Sequence, residues 1–141
     1  MKIGLEIESI VDRARLTMEV GDYHHGIPIS GLLLNSWKAE HDGSLYPTRD
    51  VFPNQTGIEF VSNIYPSQKE AMAGLKQFKR IVCTIGKSKK LNELMYFNTS
   101  CGAHIHFELE KYKFWDYASK TIFEKTTKQF FELLEKNKYI S

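Results

Sequence analysis

The segment 2–8 reads KIGLEIE. Ile3, Leu5 and Ile7 alternate with Gly4, Glu6 and Glu8, so a strand here presents one apolar face and one acidic face. The pattern recurs at 57–62, GIEFVS, where Glu59 and Val61 lie opposite Ile58 and Phe60, and at 103–109, AHIHFEL, where His104, His106 and Glu108 share one side. WKAEHDGSL at 37–45 suggests a short strand closed by an Asp-Gly turn, and LMYFNTS reads as a strand edge leading into 103–109.

Between these strands the spacing changes. YPSQKEAMAGLKQFKRIVCTIG starts a helix at Ser67, with Glu70 three residues on completing a capping box. Ala71, Leu75, Phe78 and Val82 form its buried stripe, and Gly86 is a natural stop. A last helix over about 114–136 carries Trp115, Ala118, Ile122, Phe130, Leu133 and Leu134 at helical spacing. Phe123 and Phe131 lie on another side of it, which suggests burial on two faces, the second by a partner. Residues 9–35 carry no clear period; DYHHGIPISG reads as loop, with His24 and His25 an exposed pair, and 46–56 as a loop with two prolines. The order of elements predicts one α+β domain over 1–141, an antiparallel sheet with helices on one face. The other face would then carry Glu6, Glu8, Glu59, His104, His106 and Glu108.

Composition narrows the function classes. Among 141 residues, nineteen Lys and Arg stand against seventeen Asp and Glu, and a net charge of +2 does not argue for nucleic acid. No apolar run reaches the ~20 residues of a membrane span, and two glutamates interrupt the N-terminus where a signal peptide needs an apolar core. Cys83 and Cys101 have no framework spacing, so a reduced, cytoplasmic setting is expected. Cys101 reads as a small packed thiol, since no base is assigned near it.

Singly, the polar residues are ordinary. Strand glutamates usually face water, and a lone His-x-His is more often a surface pair than a chelate. Together they are not. Glu6 and Glu8, about 6–7 Å apart on one strand face, repel unless a positive charge or a proton intervenes. Gathering Glu59 and the two imidazoles onto the same face makes one acidic, His-lined surface. Oxygen ligands dominate, which suits Mg²⁺ or Mn²⁺, and such ions are usually bound with phosphates. The residues alone suggest a nucleotide–metal site on an open sheet.

GLEIE (4–8), WKAEHDGSL (37–45), GIEFVS (57–62) and CGAHIHF (101–107) occur in the order seen in the amidoligase family, whose fold resembles the catalytic domains of glutamine synthetase and the glutamate–cysteine ligases. The resemblance covers most of residues 3–107. It implies an ATP- and Mg²⁺- (or Mn²⁺-) dependent carboxylate–amine ligase, in which a carboxylate of a small molecule or peptide is phosphorylated and an amine attacks the acyl phosphate. It implies metal ligation by Glu6, Glu8, Glu59 and His104, with His106, Asp42 and Ser44 lining the nucleotide or substrate. No catalytic base is identified, and Arg49 and Arg80 match no motif.

Family members continue beyond the helix that follows the C-G-x-H-x-H motif, to an arginine segment and a strand with Glu and Arg. The chain therefore resembles the first half of that fold. Three readings follow: a complementary subunit supplies the rest, a homo-oligomer completes the site, or the scaffold is non-catalytic, as in a phage or assembly component acting in a host cytoplasm. A fourth is a Zn²⁺ or Fe²⁺ enzyme using His104, His106 and Glu108.

Overall fold

The computed structural model describes residues 2–29, 37–108 and 117–136, apart from the side chains at 117–120, 122, 123 and 133–136. The segment KIGLEIE opens strand β1 (Lys2–Asp12), around which the sheet is built. β4 (Gln55–Tyr65) runs antiparallel along one edge of β1, and β6 (Ala103–Glu108) and β5 (Met95–Tyr96) share its other edge. Outside β4 come β3 (Lys38–His41) and the two-residue edge strand β2 (Ile27–Pro28). Among the described residues every strand pairing is antiparallel, and with two α-helices the fold is α+β. The loop expected over DYHHGIPISG thus contains an edge strand. Pro28 is tolerated there because an edge leaves one side of the backbone unpaired.

Helix α1 (Gln68–Gly86) starts as its cap predicts: the Ser67 hydroxyl accepts the Glu70 amide at 3.3 Å. Ala71, Leu75, Phe78 and Val82 are all buried on the apolar face of the sheet against Ile3, Leu5, Ile7, Ile58 and Phe60. Burying Leu75, Phe78 and Val82 contributes about 1.5–3 kcal/mol each before entropy is counted. Trp37 packs on Phe78 at 4.7 Å between ring centroids and donates its indole N–H to the Gly74 carbonyl at 2.9 Å.

The helix ends at Gly86, as expected, but the residue that turns the chain is the next one. Lys87, at φ 51°, takes the left-handed turn, and the Lys87 and Ser88 amides bond back to the Thr84 and Cys83 carbonyls. Gly86 is needed for a different reason: Leu94 packs so close that a Cβ would sit 2.5 Å from its Cδ2. Arg15 donates to the Gly86 and Lys87 carbonyls, satisfying groups a helix end leaves open.

Helix α2 (Tyr117–Lys136) reaches the same core through Phe130, which is fully buried, so both helices lie on one face of the sheet. Phe131 is exposed. Trp115 and the side chains of Ala118, Ile122, Phe123, Leu133 and Leu134 lie outside the described residues, as does most of GLLLNSW. No helix among the described residues is long and apolar enough to cross a membrane.

Candidate metal centre

The antiparallel registers decide which polar side chains meet. Residues directly opposite share a face. Glu8 lies across from Glu59, and Glu59 across from Glu40, so one row of three carboxylates crosses β1, β4 and β3. In the next row Glu6 faces His104, then Gly4 faces His106, and at the far end Lys2 faces Glu108. All of this lies on the face opposite the helices.

Asp42 joins from the turn after β3. Its carboxylate accepts the Ser44 amide at 2.9 Å and the Ser44 hydroxyl at 2.5 Å, a local turn that fixes its direction. The turn is anchored by Leu45, which lies directly on Gly57; a Cβ there would come within 2.4 Å of the Leu45 Cβ. Leu45, Ile10 and Tyr96 form a second small apolar cluster on the acidic face, walling off one end of the site. Cys101 packs against it, and burial pushes its thiol up.

One oxygen from each of Glu8, Asp42 and Glu59 lies within 4.8 Å of the other two, close enough to share one cation. Glu6 stands beside them between the two imidazoles, at 3.2 Å from His104 Nδ1 and 3.3 Å from His106 Nε2. His104 also approaches Glu8 at 3.7 Å through Nε2. Gly102 closes this side: its carbonyl accepts the Glu8 amide at 2.9 Å, and a Cβ on it would lie 3.0 Å from Glu8 Oε1.

The protonation of these groups follows from their surroundings. Burial, then the charges of Glu6, Glu40 and Glu8, push Glu59 up to about 8, so at neutral pH it holds a proton. Glu8 is raised by burial and by Asp42 and Glu6, against the pull of His104. Burial would raise Glu6 as well, but hydrogen bonds from His106 and His104 outweigh it and hold Glu6 low. Burial is likewise outweighed at Asp42, where the Ser44 hydroxyl and amide keep the carboxyl low. Among the described residues, every ion pair that reaches Glu6 or Glu8 comes from an imidazole. Arg13 and Arg15 donate to backbone carbonyls, and Arg49 stacks on Tyr96 at 5.2 Å.

The expected residues therefore come together, with changed parts. Glu8 and Glu59 are joined by Asp42 as potential ligands, while Glu6 and His104 stand at the edge of that group. Ser44 orients Asp42 rather than facing the site through its own hydroxyl. His104 and His106 flank Glu6 with ring centroids 6.5 Å apart, and Glu108 sits with Lys2 at the other end of β6. Glu40 was not anticipated. The alternation that placed Glu59 also applies to WKAEH, where buried Trp37 and Ala39 bracket Lys38. Beside Glu6 and His106, a groove of about 260 Å³ runs over Gly4 between Ile64, Val61 and Lys2. No family model, curated protein or solved structure matches this chain.

Proposed function

We propose that the protein is an ATP- and Mg²⁺- (or Mn²⁺-) dependent carboxylate–amine ligase of the amidoligase type. The observation that carries this reading is the convergence of Glu8, Asp42 and Glu59 within 4.8 Å on the open face of the sheet, from three of the segments that resemble that family. The donor set fits a hard divalent ion: it offers carboxylate oxygens, and nearly buried Glu59 carries a proton where a cation would let it ionise.

A divalent ion held there would supply positive charge to offset that of the phosphates during phosphoryl transfer. The chain's own residues do the rest. Glu8, Asp42 and Glu59 seat the ion, and Ser44 and Leu45 hold Asp42 in place. His104 and His106 bond to the Glu6 carboxylate and fix its direction. The groove over Gly4, floored by a residue without a side chain, takes the organic substrate next to Glu6. The arginines that steady the transferring phosphate come from a second copy of the chain or a complementary subunit, because Arg13, Arg15 and Arg49 are engaged elsewhere and Arg80 lies on α1, on the helix side of the sheet.

The test is Mg²⁺-dependent ATP binding by calorimetry on the wild type, Glu6→Gln and Glu59→Gln, with oligomeric state measured in parallel. Binding that needs Mg²⁺ and is lost in both variants supports the ligase. Zn²⁺ bound tightly through both substitutions but lost in His104→Ala/His106→Ala would replace it with a zinc enzyme. A chain that binds no nucleotide, alone or assembled, is a scaffold component.

A further inference from the structure

Gly4 stands in the central strand of the sheet where neither packing nor backbone asks for a glycine. Its φ lies outside the left-handed region, and a Cβ there would meet nothing nearer than the His106 Cβ, at 3.7 Å. Glycine weakens a strand interior, and one that sterics do not require marks a place where another molecule comes close.

Beside it, β4 carries a bulge. Ser62 and Asn63 together lie against the single Leu5, between the pairs Glu6–Val61 and Gly4–Ile64. The bulge is built in: the Leu5 amide donates to the Ser62 hydroxyl at 2.8 Å, and that hydroxyl donates to the Asn63 carbonyl at 2.6 Å. A shift of one residue reverses the face a side chain takes, so the bulge turns Ile64 onto the face of Gly4 and Glu6. There Ile64 is 67% exposed, the most exposed large apolar side chain among the described residues.

The bare glycine, the bulge and the exposed isoleucine meet at one spot and together make the groove of about 260 Å³. Its walls are His106 on one side and Val61 and Ile64 on the other, so its middle offers apolar surface. Glu6 closes one end. Both of its carboxylate oxygens touch imidazoles, at 3.2 and 3.3 Å, and each keeps a lone pair for another donor. Lys2 and Glu108 stand opposite each other at the far end, which therefore carries one group of each sign. The groove is smaller than the ~300–1,000 Å³ of sites for drug-sized ligands, so its occupant is a narrow chain. From Lys2 to Glu6 the strand advances about 13 Å, which leaves room for a short chain laid along β1.

We propose that this groove holds a primary ammonium on an unbranched alkyl chain, the group shared by a lysine side chain and a short diamine, with the ammonium on Glu6 and the methylenes over Gly4 against Ile64. That this group is the amine substrate rests on the ligase reading; that the groove binds it does not. An ammonium offers three donors and no acceptor, which suits a carboxylate end, and its methylenes would cover Ile64, which now faces water.

The probe is pentylamine, titrated at pH 7 into the full chain without metal or nucleotide and followed by NMR at the Gly4 amide and the Ile64 methyls. Both signals should shift and saturate, with pentanol at least about tenfold weaker and pentanoate not binding. Nα-acetyl-lysine methylamide and cadaverine distinguish the two sources: the tighter of the two names the natural one. Gly4→Val fills the groove with a side chain that suits a strand, so it should keep the wild-type melting temperature and lose amine binding at least about tenfold. Ile64→Thr, at an exposed position, serves if the valine variant does not fold, and should weaken pentylamine several-fold. No shift at Gly4 and Ile64, equal binding of pentanol, or unchanged binding in both variants overturns the proposal. Mg²⁺–ATP binding with no amine in the groove leaves the ligase reading standing without it; amine binding in a chain that never binds Mg²⁺–ATP keeps the groove and removes the ligase.

Discussion

Glu59 should make cation binding steeply dependent on pH. Its carboxyl, pushed up to about 8 by burial and by Glu6, Glu40 and Glu8, is protonated at neutral pH, and a cation can use it only as the anion. The ionised fraction rises from about 1% at pH 6 to half at pH 8, so apparent Mn²⁺ affinity should climb about 50-fold across that range, with nearly one proton released per ion at pH 7. Calorimetry in two buffers of different ionisation heat reads both quantities. Glu59→Gln should bind more weakly at pH 8 and lose most of the slope. The same proton governs the cation-free fold. Folded Glu59 keeps its proton until about pH 8, whereas unfolded it releases it near 4.5. Between those values the folded state binds more protons, so stability falls as pH rises through the window. Glu59→Gln should therefore stabilise the cation-free protein at pH 8 by about 1–3 kcal/mol in urea melts with chelator. A flat affinity profile in the wild type, or an unaltered slope in Glu59→Gln, refutes this account of the site.

Gly102→Ala should weaken Mn²⁺ binding about tenfold with little change in melting temperature, because the added methyl crowds Glu8 Oε1 and His104 Nε2 rather than the core; titration beside a thermal melt separates the two. Lys87→Gly should stabilise the protein by about 1 kcal/mol, since glycine takes the left-handed turn after α1 without the Cβ penalty, and the melting temperature should rise a few degrees. Trp37→Phe should cost about 1–3 kcal/mol in denaturant melts by removing the indole bond to Gly74 and some buried ring, leaving cation affinity unchanged.

What could be seen in the sequence was whatever depends on local period. Ile3, Leu5 and Ile7, Ile58 and Phe60, and the stripe from Ala71 to Val82 all bury as their spacing requires, and the alternation puts Glu6, Glu8, Glu59, His104 and His106 on the opposite face. What could not be seen depends on contacts between distant segments. β1 pairs Gly4 with Ile64 but Glu6 with Val61, so β4 holds an extra residue there, and the Leu5 amide turns to the Ser62 hydroxyl at 2.8 Å. Nothing in GIEFVS announces that bulge. Ile10 belongs by parity to the acidic face, yet it is buried, because Leu45 and Tyr96 arrive from remote loops to cover it. β2 is too short to have a period, and Glu40 is buried only because residues 21–26 fold across β3.

These two faces answer to opposite physical demands, and that is the strongest argument that the acidic one is functional. The helix-covered face is packed as a core: its large side chains interlock, and the Trp37 indole has its acceptor. The other face concentrates Glu6, Glu8, Asp42, Glu59 and Glu40 where stability alone would favour neutral or alternating charge, and offsets them with two exposed imidazoles. A sheet face needing only solubility would leave such groups in water, not nearly bury Glu40 and Glu59 side by side. Substitutions should divide accordingly. Truncations among the apolar residues should lower stability whatever the cation, whereas neutralising Glu59 should raise cation-free stability and remove the stabilisation that Mn²⁺ confers. If Mn²⁺ gives the Glu59→Gln variant the same gain in melting temperature as the wild type, the burial of these carboxylates has some other cause.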